Sequence, residues 1–580
     1  MIAIEPARRR HAALIAVAAA LGLVSHFVAE RQLAGRVGPA LDDGWIYLAF
    51  ARSLAEGEWF AYPGHEGPVA AITGPLWSFV LAIAMAIAGA DAAVARGCGL
   101  LAYALVLFGT HRLARAAGGD RALAAWATAI VAVTARTLWS SLSGMEGGLG
   151  TGLSLLGLAL HLEHRGSSGR AWLRAALVLG LAGWARPENF VFLGVAALHR
   201  RRIGAVAVAA AIVATFPAFH LLVYGVPAPL PLFAKSSGDA PWNVAQREGG
   251  LAGLQALFES LAVQVAAVLG LLAAFAPPLV LGFAAGLRRA RRERSGVGLL
   301  ALAIAAFALA RGALGAQPPA FQHARYFAQL WPLFAICCLT GFRFEKRAGE
   351  RRLSWLDIAV LAVLALGFAL EPRLVAYQTL DYVGTDFPFT PQQLHRVLFW
   401  APLLFAAGFA LLGALAARRD PEGRLRFARA PLVLWLGISL GFGAYHFGEG
   451  VRDTYDVNVR MAEQVRRHTS PGELVACHDI GALGWFAERP LLDLAGLASP
   501  EVTFRPRLPD GQRDFVGVLV ERRPRWLCVT DVMIGIVNPL GARLPELRGL
   551  REIEAARVES AVNVTVAGDR YFLIELDWAR

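Results

Sequence analysis

Charge is scarce in this chain. Of 580 residues only 17% are Asp, Glu, Lys or Arg, against 56% hydrophobic ones, and the mean hydropathy is +0.49. A soluble protein carries nearer a quarter charged residues, so a water-soluble globular class is excluded. Lysine occurs twice, at Lys235 and Lys346; the other 54 of the 56 basic residues are arginine. Cysteine occurs five times, at Cys98, Cys337, Cys338, Cys477 and Cys528, without metal-ligand spacing. Three of these lie in apolar runs and read as small packing residues. Cys477 and Cys528 can pair only if their region faces an oxidising compartment. Internal repeats and low-complexity tracts are lacking. The net charge of +12 does not point to nucleic acid, because the arginines fall in short clusters between apolar blocks, as in cytoplasmic loops of membrane proteins.

What is abundant is apolar sequence in blocks of roughly 17 to 25 residues along the first 448 positions, each long enough to cross a hydrocarbon core of about 30 Å. The first block, His11–Val28, follows Arg8, Arg9 and Arg10 and lacks a small-residue cleavage site, so it reads as an uncleaved span with its N-terminus inside. Further clusters stand at Arg112–Arg121, Arg165–Arg174, Arg200–Arg202, Arg288–Arg294, Arg343–Arg352 and Arg418–Arg429. All can be cytoplasmic only if Pro75–Ala90 does not cross and lies along the outer surface. Spans then follow at 92–111, 122–138, 147–162, 171–186, 188–199, 203–224, 256–286, 297–313, 325–342, 354–370, 394–417 and 430–448, about thirteen with the first.

The expected fold is therefore a polytopic α-helical membrane protein with outer juxtamembrane helices and a small extracytoplasmic α/β domain. Residues 1–448 form the transmembrane domain, with 30–91 as its first external loop, and 449–580 form the outer domain. In the latter, ELVACHD, PRWLCVTD and YFLIELD are short β-like runs, and Val451–His468 is helix-like.

The polar candidates collect on the expected outer face. Asp42 and Asp43 open a helical pattern in which Trp45, Leu48, Ala49, Leu54 and Ala55 share a face and Gly57 ends it. Paired acids beside a bilayer are costly unless used; one of them could otherwise serve as a helix cap. Glu146 ends an outer turn, Arg186 and Glu188 flank Pro187, and Lys235 lies in an outer loop. Gln322-His323-Ala324-Arg325-Tyr326 sets His323, Arg325 and Tyr326 at a span entrance, where arginine suits phosphate. Helix dipole, interfacial anchoring and snorkelling are the plainer roles for these groups. His478 and Asp479 end a strand-like run and are secondary candidates, as is Asp493.

DDGWIYLAFARSLAEG followed by YPGHEGPVAAITGPLW resembles the first external loop of GT-C glycosyltransferases, nearest the terminal arabinofuranosyltransferase-like branch. SGMEGGLGTGL, WARPENF, YGVPAPLPLFAK, HARYFAQLWP and HDIGALGWFAERPLLDLAGL continue the resemblance in order along nearly the whole chain. Departures fall at Ala49-Phe50, Tyr62-Pro63-Gly64-His65-Glu66 and Ala71-Ile72-Thr73-Gly74. The resemblance implies an inverting transfer from a polyprenyl-phosphate sugar to a cell-envelope glycan or lipid, with Asp43 as base, Asp42 as its partner and Pro75–Ala90 as a juxtamembrane helix. Arg325, His323 or Lys235 would hold the departing phosphate. Two neighbouring acids raise one another's pKa, or hold a divalent cation, and both readings stay open. The expected setting is a bacterial inner membrane. The rival classes are a transporter or flippase, which would carry charge at mid-span, and a non-catalytic envelope-assembly scaffold.

Overall fold

The computed structural model describes residues 6–65, 67–164, 169–235, 240–275, 279–293, 295–314, 325–341, 423–506, 514–531, 547–557, 568 and 570–578. His323 and the spans expected at 354–370 and 394–417 lie outside the described residues, as does Lys346.

The chain opens with helix α1 (Pro6–Leu33), then α2 (Asp42–Ala55), α3 (Pro75–Ala88), α4 (Ala92–Ala116), α5 (Arg121–Ala132), α6 (Ala135–Leu142), α7 (Gly147–Glu163) and α8 (Gly169–Ala185). A 3₁₀ turn at Pro187–Asn189 leads into α9 (Phe190–His199), followed by α10 (Ile203–Tyr224), α11 (Leu230–Ala234), α12 (Pro241–Glu248), α13 (Gly250–Phe275), α14 (Val280–Glu293) and α15 (Val297–Ala313). After a second 3₁₀ turn, Arg325–Phe327, come α16 (Leu330–Gly341) and α17 (Gly423–Asp453). The bundle forms because α4 packs on α7, α7 on α8, and α1 on α17. Its core stacks Phe192 on Phe307 at 5.7 Å between centroids, with Leu155, Leu179 and Trp331 fully enclosed.

Among the described residues, Arg8–Leu33, Ala92–Ala116 and Ile203–Tyr224 are each long and apolar enough to cross a membrane. Only 17% of the apolar window of the first and third is buried within the protein, with Leu222 87% exposed. An apolar helix so bare toward its surroundings belongs in lipid. The chain is a multi-pass membrane protein.

Three expected spans are drawn differently by the structure. The run 122–138 breaks into α5 and α6 with a 63° bend. Thr134 donates its hydroxyl to Ile130 O at 2.7 Å, a back-bond that opens the helix where two β-branched residues, Val133 and Thr134, meet. The outer turn expected at 139–146 is consequently only 143–146. The run 256–286 is two helices, α13 and α14, with Pro277 and Pro278 in the sequence between them; a helix ends before proline. The span 325–342 starts as a 3₁₀ turn and has only twelve helical residues.

Beyond α17 the helix loosens into a π-turn at Thr454–Val459 and continues as α18 (Arg460–His468). Five strands follow: β1 (Val475–Cys477), β2 (Leu491–Asp493), β3 (Trp526–Thr530), β4 (Leu547–Arg557) and β5 (Arg570–Trp578), in the order β2-β1-β3-β5-β4. The first three run parallel and are buried throughout, as parallel strands covered on both faces must be. Cys477 and Cys528 face each other across β1 and β3, and both are free thiols.

One apolar core joins α2, α3 and this sheet region through Trp45, Phe50, Tyr62, Trp77, Ile480 and Cys477, all nearly inaccessible. Each large side chain so enclosed contributes about 1.5–3 kcal/mol. Against the expectation of one apolar face, α2 is buried almost all round, because the C-terminal domain covers the side the bundle leaves open.

Candidate active site

Leu41 holds the N-cap position of α2 with no side-chain cap, so Asp42 and Asp43 occupy its first turn, where the dipole favours negative charge. Successive residues on a helix are about 100° apart, and the two carboxylates go separate ways. Asp43 enters a cavity of about 370 Å³. There its Oδ2 accepts from Lys235 Nζ at 2.8 Å and from Arg325 Nη2 at 2.6 Å. Lys235 arrives just after α11, and Arg325 from the turn before α16.

The far wall is a chain of ion pairs. Arg186 Nη1 bonds Glu146 Oε1 at 3.1 Å, and its Nε lies 3.5 Å from Glu188 Oε2. Arg311 Nη1 bonds Glu188 Oε1 at 3.0 Å. The Tyr326 ring sits among three guanidinium groups, those of Arg186, Arg311 and Arg325, at 4.8, 4.6 and 5.0 Å from its centroid. Ala71, Ile72 and Thr73, where the motif departs from the GT-C pattern, also line the cavity. Thr73 is held by Tyr47, whose hydroxyl lies 2.8 Å from Thr73 Oγ1 and accepts from Gly74 N. Gly74 has to be glycine: a Cβ there would stand 2.1 Å from Ala185 O.

Seven of the candidates from the sequence therefore meet: Asp43, Glu146, Arg186, Glu188, Lys235, Arg325 and Tyr326. Arg311 was missed, although an arginine inside the apolar run ALARGAL is itself a signal. Also unforeseen is Leu497, which the C-terminal domain contributes to the lining. His478 and Asp479 lie elsewhere, at the carboxyl end of β1: Asp479 accepts from Asn458 Nδ2 at 3.2 Å and from Tyr571 OH, and meets His478 Nδ1 at 3.1 Å.

Asp42 faces that second group and does not line the cavity. Its Oδ2 and Oδ1 accept from Gly481 N at 2.7 Å and Ala482 N at 2.8 Å. The expectation of paired acids tuning each other is thus corrected, because their partners differ. Burial first, then the charge of Asp479, pushes the Asp42 carboxyl up to about 8; Asp43 adds only a smaller push. Burial alone would raise Asp43 too, but the charges of Lys235 and Arg325 carry it well below the usual carboxylate range. The same pairing holds Lys235 above its ordinary value despite burial. A cation shared by Asp42 and Asp43 would need the two to converge, which they do not, and among the described residues no group of three or more His, Cys, Asp or Glu is placed to hold a metal.

A pH dependence follows for Asp42. Below about pH 4 both folded and unfolded chains carry its proton. As pH rises the unfolded carboxyl ionises first, so stability falls until the folded one ionises near 8, then levels. The melting temperature of the unmodified protein should therefore drop between about pH 5 and 8 relative to Asp42→Asn, which cannot ionise. Parallel curves for the two proteins would contradict this.

No curated protein matches the chain. Residues 449–573 match a family described as a domain of unknown function, DUF8728. Among solved structures, ArnT from Cupriavidus metallidurans in the apo state is similar at 16% identity and a TM-score of 0.50, covering 97% of each chain. The same protein bound to undecaprenyl phosphate gives 15% identity, a TM-score of 0.50 and the same coverage. The Archaeoglobus fulgidus oligosaccharyltransferase in the apo form has 13% identity and a TM-score of 0.48, over 90% of this chain and 70% of its own. The likeness to ArnT is one of fold, over nearly the full length of both chains.

Proposed function

We propose that the chain is a GT-C glycosyltransferase, nearest the terminal arabinofuranosyltransferase-like branch. It moves a sugar from a polyprenyl-phosphate donor to a cell-envelope glycan or lipid, with inversion, on the outer face of a bacterial inner membrane. The observation that carries this reading is Asp43 bridged by Lys235 and Arg325 inside a cavity walled by further ion pairs. A fold shared with a protein solved in complex with undecaprenyl phosphate supports it, as do the ordered motifs.

The donor phosphate competes with Asp43 for Lys235 and Arg325. When it binds, those cations turn to its oxygens, and Asp43, relieved of part of their charge, becomes a better base. The acceptor hydroxyl oxygen attacks the anomeric carbon opposite the phosphate. The bond from that carbon to the phosphate oxygen breaks, and its electron pair leaves on the polyprenyl phosphate, which Lys235 and Arg325 stabilise. The hydroxyl proton passes to Asp43, contributing about 10²- to 10⁴-fold. Asp42 is held on the other side of α2 by two backbone N–H groups and is out of reach of this step. Glu146, Arg186, Glu188, Arg311 and Tyr326 present alternating donors and acceptors that suit sugar hydroxyls. The cavity's ionic groups come from helix ends and the turns between them rather than from mid-helix, which favours a transferase over a transporter.

The test is to incubate the purified protein with a panel of polyprenyl-phosphate sugars and measure released polyprenyl phosphate. Release from at least one donor, dependent on a hydroxyl acceptor, is expected. Well-folded protein that releases none from any donor would overturn the assignment.

A further inference from the structure

The outer domain does more than cover the cavity. It grips helix α2 at two points almost three turns apart. At the first turn, Asp42 accepts the N–H groups of Gly481 and Ala482, which open a helical turn ending in the π-type segment Leu483–Ala487. At the last turn, Arg52 donates Nη1 to Trp485 O at 2.9 Å and Nη2 to Gly484 O at 3.1 Å, so the carbonyl side of the same segment is held as well. One rigid helix therefore spans both ends of one short turn, with opposite charges matched to opposite backbone groups.

The contact is close. A Cβ at Gly481 would stand 2.0 Å from Asp42 O, so no other residue fits there without moving α2. Trp45 is edge-on to Phe486 at 5.0 Å and to Tyr455 at 5.9 Å, and the Arg52 guanidinium lies 4.5 Å from the Trp485 ring. Tyr62, from the loop after α2, donates to Ile480 O at 2.8 Å.

A second arm reaches the opposite wall. Asp493, at the end of β2, accepts from Ala495 N and Ala498 N and so shapes the loop that delivers Leu497 to the cavity. Phe504 packs on Phe233 at 5.5 Å, and Phe233 lies in α11 two residues before Lys235. The domain thus touches both elements that carry the Asp43–Lys235 pair.

We infer that the domain of unknown function is a positioning clamp: through Asp42 and Arg52 it sets the rotation of α2, and thereby the place of the Asp43 carboxylate between Lys235 and Arg325. This rests on the transferase reading for its effect on turnover. Asp42 and Arg52 are positioning residues, acting through Asp43. A displacement of about 1 Å at such a group costs up to about 100-fold in rate, whereas donor binding through Lys235 and Arg325 is left in place.

The experiment uses the full chain in lipid nanodiscs with Asp42→Ala, Arg52→Ala, Arg52→Lys and Asp43→Asn. Both alanine variants should lower kcat by about 10-fold or more while the donor KM and the affinity for polyprenyl phosphate stay within about 3-fold. Their acid limb of kcat/KM should move up by about one pH unit, because a loosened Asp43 loses part of its contact with two cations. Arg52→Lys keeps one donor and should recover part of the loss. Amide hydrogen exchange in the first turns of α2 should rise in Arg52→Ala without change in the bundle. Unchanged exchange in α2 together with an unchanged acid limb overturns the clamp, as does a fall in polyprenyl-phosphate affinity that parallels the fall in kcat. Full activity of Asp43→Asn, or no turnover of any donor by the unmodified chain, sinks the transferase reading instead, and exchange in α2 still decides the clamp.

Discussion

Asp43→Asn should lower kcat by at least about 100-fold while leaving polyprenyl-phosphate binding intact or tighter. The asparagine is close in size and can still accept from Lys235 and Arg325, which bond Asp43 Oδ2 at 2.8 and 2.6 Å, but it can take no proton. Its missing charge also ends the competition for those cations, so the phosphate finds them less engaged. Lys235→Ala and Arg325→Ala should behave oppositely, weakening phosphate binding before they affect the proton transfer, since each removes a charge-assisted donor. Isothermal titration with polyprenyl phosphate and single-turnover rates would separate the two effects. An Asp43→Asn protein keeping more than about a tenth of wild-type kcat would rule out Asp43 as the base. An affinity loss equal to that of Lys235→Ala would show instead that Asp43 supports phosphate binding by holding the two cations in place.

Arg311→Ala should be the most damaging change to stability at the cavity, at about 3–5 kcal/mol. Its guanidinium is 6% exposed and bonds Glu188, itself 17% exposed, at 3.0 Å. Glu188 would keep Arg186 at 3.5 Å, but Arg186 already serves Glu146. Removing Arg311 leaves a desolvated carboxylate short of a partner and strips one cation from the Tyr326 ring. Glu188→Gln combined with Arg311→Ala should lose less than Arg311→Ala alone, because the uncompensated charge is then gone. Thermal unfolding followed by intrinsic tryptophan fluorescence measures this. An Arg311→Ala protein melting with the wild type would mean that water reaches Glu188 freely.

Much of the site is legible in the sequence. Charged groups at the ends of apolar runs cannot face lipid, so Asp43, Glu146, Arg186, Lys235 and Arg325 stood out by residue type and place alone. The helix from Asp42 to Ala55 was legible too, from its spacing and from Gly57 beyond it. What could not be read was direction. Asp42 and Asp43 look equivalent in a string of letters, yet a 100° step sends one to the cavity and the other to backbone groups more than 400 positions away. The bend at Thr134 escaped notice because a hydroxyl back-bond is a local choice that apolar periodicity does not register. Arg311 escaped because its partner, Glu188, is distant in sequence and ordinary in context, a first-turn glutamate after proline.

The walls described above hold four cations, Lys235, Arg325, Arg186 and Arg311, against three carboxylates, Asp43, Glu146 and Glu188. In the proposed transfer, a phosphodiester donor would bring one negative charge and render the chamber electroneutral. Cleavage leaves a phosphate monoester of up to about two negative charges, but the proton captured by Asp43 cancels the increment. On that reading the formal charge is the same before and after transfer, so turnover would demand no counter-ion traffic across the low-dielectric lining. Only when Asp43 surrenders its proton to the aqueous side does the imbalance return, in the direction that expels the spent lipid.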